Sequence, residues 1–136
     1  MGKDQTNLLA EYKAHLVTWN KTHNLISKKQ AQKIDDHIAD SLIISPFLNK
    51  NIIDLGSGGG LPGIPLAIIN PDKEFYLIES NTKKSSFLLH TTSRLSLENT
   101  SVINQRIEKV ETKTFPESFD IVCRAVGSTE FIISLT

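Results

Sequence analysis

The chain has almost no cysteine and no excess of positive or negative charge. Cys123 is the single cysteine, which excludes an intrachain disulfide and a metal site built from several thiolates. Lysine plus arginine and aspartate plus glutamate both number 15. This balance argues against a strong nonspecific grip on nucleic acid, although a local basic patch depends on where the charges lie.

Long apolar runs are also missing. Stretches such as Leu42-Ile43-Ile44 are far too short to cross a bilayer, and residues 1–4 lead into polar sequence instead of an apolar signal segment. We therefore expect a cytoplasmic protein that is not inserted in a membrane. The length of 136 residues predicts one domain with a modest core.

Residues 1–50 are predicted to form a helical segment. A loop is expected at residues 20–24, after the first helix. Ser27 and Gln30 fit a capping box at the start of a second helix, which should end near Pro46 because proline lacks the N–H of a helix interior. The apolar residues that recur at helical spacing in the first helix are Leu8, Leu9, Tyr12, Leu16 and Trp19.

Residues 51–136 alternate strand and helix patterns. Such alternation predicts βαβ units and a parallel sheet on which the helical segment packs. A parallel sheet binds ligands at the carboxyl ends of its strands. A further helix is expected to begin at Ser128-Thr129-Glu130-Phe131. The predicted strands lie at residues 52–55, 75–78, 101–103 and 119–123, and the predicted helices at residues 65–69 and 83–95.

A glycine-rich loop follows the first predicted strand, and two registers fit it. Its sequence is Asp54-Leu55-Gly56-Ser57-Gly58-Gly59-Gly60-Leu61-Pro62-Gly63. Gly58, Gly60 and Gly63 satisfy the dinucleotide pattern G-x-G-x-x-G, but that register places Gly56 inside the strand. The register Asp54-x-Gly56-x-Gly58-x-Gly60 instead starts at an acid on the strand end, as in class I methyltransferases that bind S-adenosylmethionine.

Glu79 ends the second predicted strand. An acid at this position can accept hydrogen bonds from both ribose hydroxyls of a cofactor in either register, so it supports a ribose-containing ligand without identifying it. The plainer alternative is a solvated acid at a strand end. The loop favours a methyltransferase, and an NAD(P)-binding oxidoreductase stays the alternative.

The loop resembles that of the ribosomal RNA small subunit methyltransferase G family, also known as glucose-inhibited division protein B. Its Leu61-Pro62-Gly63 is uncommon in other methyltransferases. Three further blocks agree with the family in order along the chain. They are Trp19-Asn20-Lys21-x-x-Asn24-Leu25, His37-x-x-Asp40-Ser41-Leu42 and Cys123-Arg124-Ala125.

The resemblance implies a Rossmann-like fold and methylation of guanine N7 in 16S ribosomal RNA by S-adenosylmethionine. It implies the small ribosomal subunit or its RNA as partner, a cytoplasmic location, no metal, and a monomer for a complete member. The positions expected to bind the cofactor are Gly56, Leu61, Ile107, Glu108 and Arg124 from the matching motifs, Asp54 and Gly58 from the loop pattern, and Glu79 from the end of the second strand.

Guanine N7 carries a lone pair and no proton, so its methylation needs proximity and orientation more than a general base. We accordingly expect none of the four histidines to act as a base. Arg124 is the candidate for orienting the substrate through its planar donor fork. The alternative for Arg124 is an ion pair with Asp120 or Glu108.

The basic residues of the helical segment and the second helix of the α/β portion have two interpretations. We favour solvated surface lysines over a basic face for RNA. The residues concerned are Lys28, Lys29, Lys33, Lys83 and Lys84.

Members of this family continue well past the arginine that corresponds to Arg124. We therefore expect a C-terminally shortened member with an incomplete sheet and impaired activity. The fourth predicted strand should then be a sheet edge with Ile121 and Val122 unpaired, which favours association. A nonenzymatic module that dimerises through this edge is a third hypothesis.

Overall fold

The computed structural model describes the backbone of residues 2–124 and 130–135 and the side chains of residues 2–123. A sheet of five strands is covered by helices. The helices are α1 (Lys3–His23), α2 (Lys28–Gln32), α3 (Ile34–Ile43), α4 (Gly63–Ile69) and α5 (Thr82–Arg94). The strands are β1 (Asn51–Leu55), β2 (Glu74–Ile78), β3 (Thr100–Ile103), β4 (Phe119–Arg124) and β5 (Glu130–Leu135).

The sheet has the order β3-β2-β1-β4-β5. β1 lies between β2 and β4 and runs parallel to both, and β3 runs parallel to β2. The ends of β1, β2 and β3 therefore meet along one edge, as the alternating pattern predicts. This confirms the Rossmann-like α/β class.

β5 corrects two expectations about the end of the chain. Residues 130–135 form a strand, antiparallel to β4 from Phe119↔Leu135 to Arg124↔Glu130, and not the predicted helix; Ser128 and Thr129 lie outside the described residues. Ile121 and Val122 pair with this strand, so β4 is not a bare sheet edge. The dimerisation hypothesis loses the feature on which it rested.

The N-terminal helices differ from prediction at two junctions. α1 continues through the expected loop and ends at His23. Asn24 is its C-cap, and the φ of 50° at Asn24 is left-handed. The second predicted helix divides at Lys33 into α2 and α3. The capping box at Ser27 and Gln30 is confirmed, because each side chain accepts a hydrogen bond from the other residue's backbone N–H.

The hydrophobic core lies between the helices and one face of the sheet. Trp19 joins the two parts of the chain, since its ring packs edge-on against Phe87 of α5 with centroids 5.7 Å apart. Among the described residues, no helix combines the length and apolarity needed to cross a membrane. Fully buried members of the core from both layers include Tyr12, Leu16, Ile52, Leu66, Leu77, Phe87, Leu88 and Val122.

Candidate cofactor-binding site

A cleft of about 300 Å³ opens at the carboxyl ends of β1, β2 and β3. This volume lies at the lower end of the roughly 300–1,000 Å³ usual for ligand pockets. Gly56 and Glu79 contribute from the ends of β1 and β2, and Ile107 and Glu108 contribute from the 3-10 turn after β3. The fold thus brings four of the predicted site residues to one cleft.

The glycine loop begins where the methyltransferase register requires. β1 ends at Leu55, so Gly56 lies outside the strand with a φ of 69°, a left-handed conformation that favours glycine. Its N–H donates to the carbonyl oxygen of Ile78 over 2.8 Å. A Cβ at Gly56 would have no atom within 4 Å, so the backbone is open to a ligand.

Glu79 is held in place by two backbone N–H groups, one in the glycine loop and one just before α5. Its Oε1 accepts from the N–H of Gly58 over 2.8 Å, and its Oε2 accepts from the N–H of Asn81 over 2.9 Å. The side chain is 7% exposed. A carboxylate has about four acceptor positions, so these two bonds orient Glu79 and leave acceptor capacity for hydroxyl groups.

Asp54 supports the loop through a hydrogen bond at the start of α4. Its side chain is fully buried, and its Oδ2 accepts from the N–H of Gly63 over 2.9 Å at the start of α4. A Cβ at Gly63 would collide with that oxygen and would lie 2.6 Å from Leu77 Cδ2. The structure therefore places Asp54 as a positioning residue of the loop; direct contact with a ligand stays a prediction.

α1 also contacts the glycine loop. The hydroxyl of Tyr12 donates to the carbonyl oxygen of Gly59 over 2.6 Å. A Cβ at Gly59 would lie 2.9 Å from Ile26 Cγ2 and 3.1 Å from Leu16 Cδ1. The sequence pattern identified Tyr12 only as an apolar helix residue, because the helical period gives no sign that its hydroxyl reaches the loop.

Two of the predicted site residues, Leu61 and Arg124, are not among the described residues that line the cleft. Leu61 is 5% exposed and belongs to the hydrophobic core. Arg124 ends β4 and pairs in register with Glu130, while its side chain lies outside the described residues. Ser80, Gln105 and Arg106 also line the cleft.

Cys123 lies beside Asp54 near the end of β4, and its side chain is half-buried. Burial raises the pKa of the Cys123 thiol, and the negative charge of Asp54 raises that pKa further. Both causes favour the neutral thiol over the thiolate. Cys123 is therefore a weak nucleophile near neutral pH.

Comparison with known proteins identifies the lineage. The sequence profile for rRNA small subunit methyltransferase G matches residues 5–136. The protein named Ribosomal RNA small subunit methyltransferase G from Hydrogenovibrio crunogenus is 38% identical over an alignment that covers 94% of this chain. The protein of the same name from Stutzerimonas stutzeri is 40% identical over an alignment that covers 97% of this chain. These matches cover 59% and 62% of the two relatives, so the chain spans about three fifths of their length.

A solved structure shares the fold. Precorrin-6y C5,15-methyltransferase from Geobacter metallireducens aligns with a TM-score of 0.56 over 77% of this chain and 52% of that chain, at 16% identity. At this identity the likeness concerns the architecture alone. The profile match covers nearly the whole sequence and is the stronger result. It shows that the chain belongs to the rRNA small subunit methyltransferase G family.

Proposed function

We propose that the cleft between the glycine loop, Glu79 and the Ile107–Lys109 turn binds S-adenosylmethionine. The observation that carries the proposal is the pairing of an open backbone at Gly56 with a fixed acid at Glu79. Glycine without Cβ contacts admits a ligand against the loop, and the oriented carboxylate can accept from vicinal hydroxyls of a ribose. The residues therefore fit the nucleoside part of the cofactor.

The remaining contacts follow from the lining of the cleft. Ile107 is 41% exposed and offers an apolar surface to the adenine ring, with Glu108 beside it in the same turn. Gly58 contributes through the loop backbone, which Glu79 holds. Asp54 and Tyr12 hold the loop in this shape through hydrogen bonds to Gly63 and Gly59.

We further infer that the reaction is methylation of guanine N7 in 16S ribosomal RNA. S-adenosylmethionine supplies the methyl group on a positively charged sulfur. The N7 atom needs no base to remove a proton, so the chain has to exclude water and orient the base. Arg124 at the end of β4 is the candidate for that orientation through its donor fork.

The proposed partner is the small ribosomal subunit or its RNA, and the proposed location is therefore the cytoplasm. The oxidoreductase alternative has no support from the family match. Its register also requires the strand to reach Gly56, whereas β1 ends at Leu55.

The experiment that tests the reaction supplies methyl-labelled S-adenosylmethionine and small ribosomal subunits that lack the modification. We expect the label in 16S RNA on a guanosine, recovered after digestion as 7-methylguanosine. Label on another atom or base would overturn the assignment of N7. Absence of label with S-adenosylhomocysteine bound would overturn the reaction for this chain and leave the cofactor site intact.

A further inference from the structure

A second cleft, of about 510 Å³, lies between the end of α1, the segment before α2 and the first turn of α5. We term it the lysine cleft, because Lys21, Lys28 and Lys84 line it together with Asn20 and Gln30. No aspartate or glutamate is among its lining residues. A chain with equal numbers of acidic and basic residues thus concentrates positive charge at one place.

The three lysines are available to a ligand. Lys13 is paired with Asp35 at 2.8 Å and Lys113 with Glu111 at 3.2 Å. Within the part of the chain whose side chains are described, no such ion pair involves Lys21, Lys28 or Lys84. Each ammonium group offers three donors and no acceptor, so their convergence without an acid favours an anion.

The amide side chains of the lysine cleft add donors of the same kind. Asn20 Oδ1 accepts from the N–H of Ile26 over 2.8 Å, and Gln30 Oε1 accepts from the N–H of Ser27 over 3.0 Å. Because their oxygens are engaged by the backbone, both residues retain their NH₂ groups for a ligand. Ammonium and NH₂ donors together match phosphate oxygens.

The lysine cleft adjoins the proposed cofactor site. Ile26, which lines it, lies 2.9 Å from the position of a Cβ on Gly59 in the glycine loop. On the other side, the N–H of Lys84 donates to Asn81 Oδ1 over 3.0 Å, and the N–H of Asn81 donates to Glu79. The lysine cleft therefore lies close to the glycine loop and to Glu79, two parts of the proposed cofactor site.

We propose that the lysine cleft binds a backbone phosphate of the substrate RNA. This inference rests on the proposed function, because it assumes that the chain acts on RNA. Phosphate contacts fix the position of a nucleic acid without reading its sequence. The lysine cleft then explains how a chain without a basic excess holds RNA near its proposed cofactor site.

The test compares two triple variants of equal charge change. K21Q/K28Q/K84Q removes the charges of the lysine cleft. K29Q/K33Q/K83Q removes three lysines that do not line it, two of them sequence neighbours of the first set. Binding of a fluorescent 16S RNA fragment that contains the target guanosine is measured by anisotropy over a range of salt concentrations, and S-adenosylhomocysteine binding by calorimetry.

We expect K21Q/K28Q/K84Q to weaken RNA binding about tenfold near 0.1 M salt, because several lysine–phosphate interactions disappear together. Its plot of log affinity against log salt should flatten by roughly 0.7 for each phosphate that is no longer neutralised. The control variant should bind as the unchanged chain does. Both variants should keep their affinity for S-adenosylhomocysteine, which shows that the fold and the cofactor site persist.

Equal weakening by the two variants would overturn the proposal in favour of diffuse attraction, and no weakening by either would exclude the lysine cleft as an RNA site. Failure of the unchanged chain to bind S-adenosylhomocysteine contradicts the proposed function instead. The two failures are therefore distinguishable.

Discussion

The carboxylate of Glu79 accepts a 2.8 Å hydrogen bond from the backbone N–H of Gly58. This bond joins the end of β2 to the glycine loop that follows β1, so the loop and the acid form one unit. A parallel sheet makes the contact possible because β1 and β2 end at the same edge, with Leu55 opposite Ile78. The shape of the loop and the direction of the carboxylate are therefore set together.

Gly63→Ala should destabilise the chain. The added Cβ meets the buried carboxylate of Asp54 and lies 2.6 Å from Leu77 Cδ2, and such overpacking costs about 1–3 kcal/mol. Urea unfolding followed by circular dichroism measures the loss. Gly2→Ala is the control, since a Cβ there has no atom within 4 Å. Equal stability of the two variants would contradict the packing described for α4 against β1.

Tyr12→Phe tests the contact between α1 and the loop. The variant loses the 2.6 Å bond to the carbonyl oxygen of Gly59, and leaving that buried acceptor without its donor costs about 1–3 kcal/mol. Affinity for S-adenosylhomocysteine should fall as well, because Gly59 follows Gly58 in the loop. Thermal unfolding and calorimetry give the two values.

Tyr76→Phe is the matched control for Tyr12. Tyr76 is half-buried against Phe115, and its hydroxyl makes no hydrogen bond among the described side chains. This variant should retain both stability and ligand affinity. If it loses as much as Tyr12→Phe does, the hydroxyl of Tyr12 has no special role in holding the loop.

The pH dependence of Cys123 alkylation tests the electrostatics at the end of β4. Burial and then the charge of Asp54 raise the pKa of this thiol. Since the thiolate is the reactive form, the rate with iodoacetamide should rise at a higher pH in the folded chain than in the chain unfolded by urea. The same inflection in both states would show that neither burial nor Asp54 acts on the thiol.

Local patterns predicted most of the fold. Apolar runs bounded by glycine, proline and asparagine located β1 to β4, and the capping box located the start of α2 at Lys28. The prediction for residues 130–135 is wrong because a short apolar run fits a helix or a strand equally well. Pairing with the backbone of β4 decides the outcome, and that partner is not local in sequence.

The features of the site also fall into those that the sequence predicts and those that it does not. Gly56, Glu79, Ile107 and Glu108 share a cleft because each follows a strand of one parallel sheet, which the pattern of alternating elements predicts. The burial of the Leu61 side chain depends on how the loop turns, and residue type alone does not reveal it. The sequence singles out Lys28 and Lys84 as basic residues, but it does not show that they share a cleft with Lys21, because the three lysines come from separate segments.

Calorimetric titration with S-adenosylhomocysteine and with NAD, on the unchanged chain and on Glu79→Gln, is the sharpest test of which cofactor this cleft binds. Glutamine keeps the size of Glu79 but turns an NH₂ group toward a backbone N–H that now donates to the carboxylate. Glu74→Gln, an exposed change at the opposite end of β2, is the control.

We expect S-adenosylhomocysteine to bind the unchanged chain and Glu74→Gln with equal affinity, and NAD to bind both more weakly. Glu79→Gln should bind S-adenosylhomocysteine about 10- to 100-fold more weakly, as expected when charge-assisted hydrogen bonds worth about 1.5–3 kcal/mol are removed. Tighter binding of NAD, or unchanged binding by Glu79→Gln, would contradict the assignment of this cleft to S-adenosylmethionine.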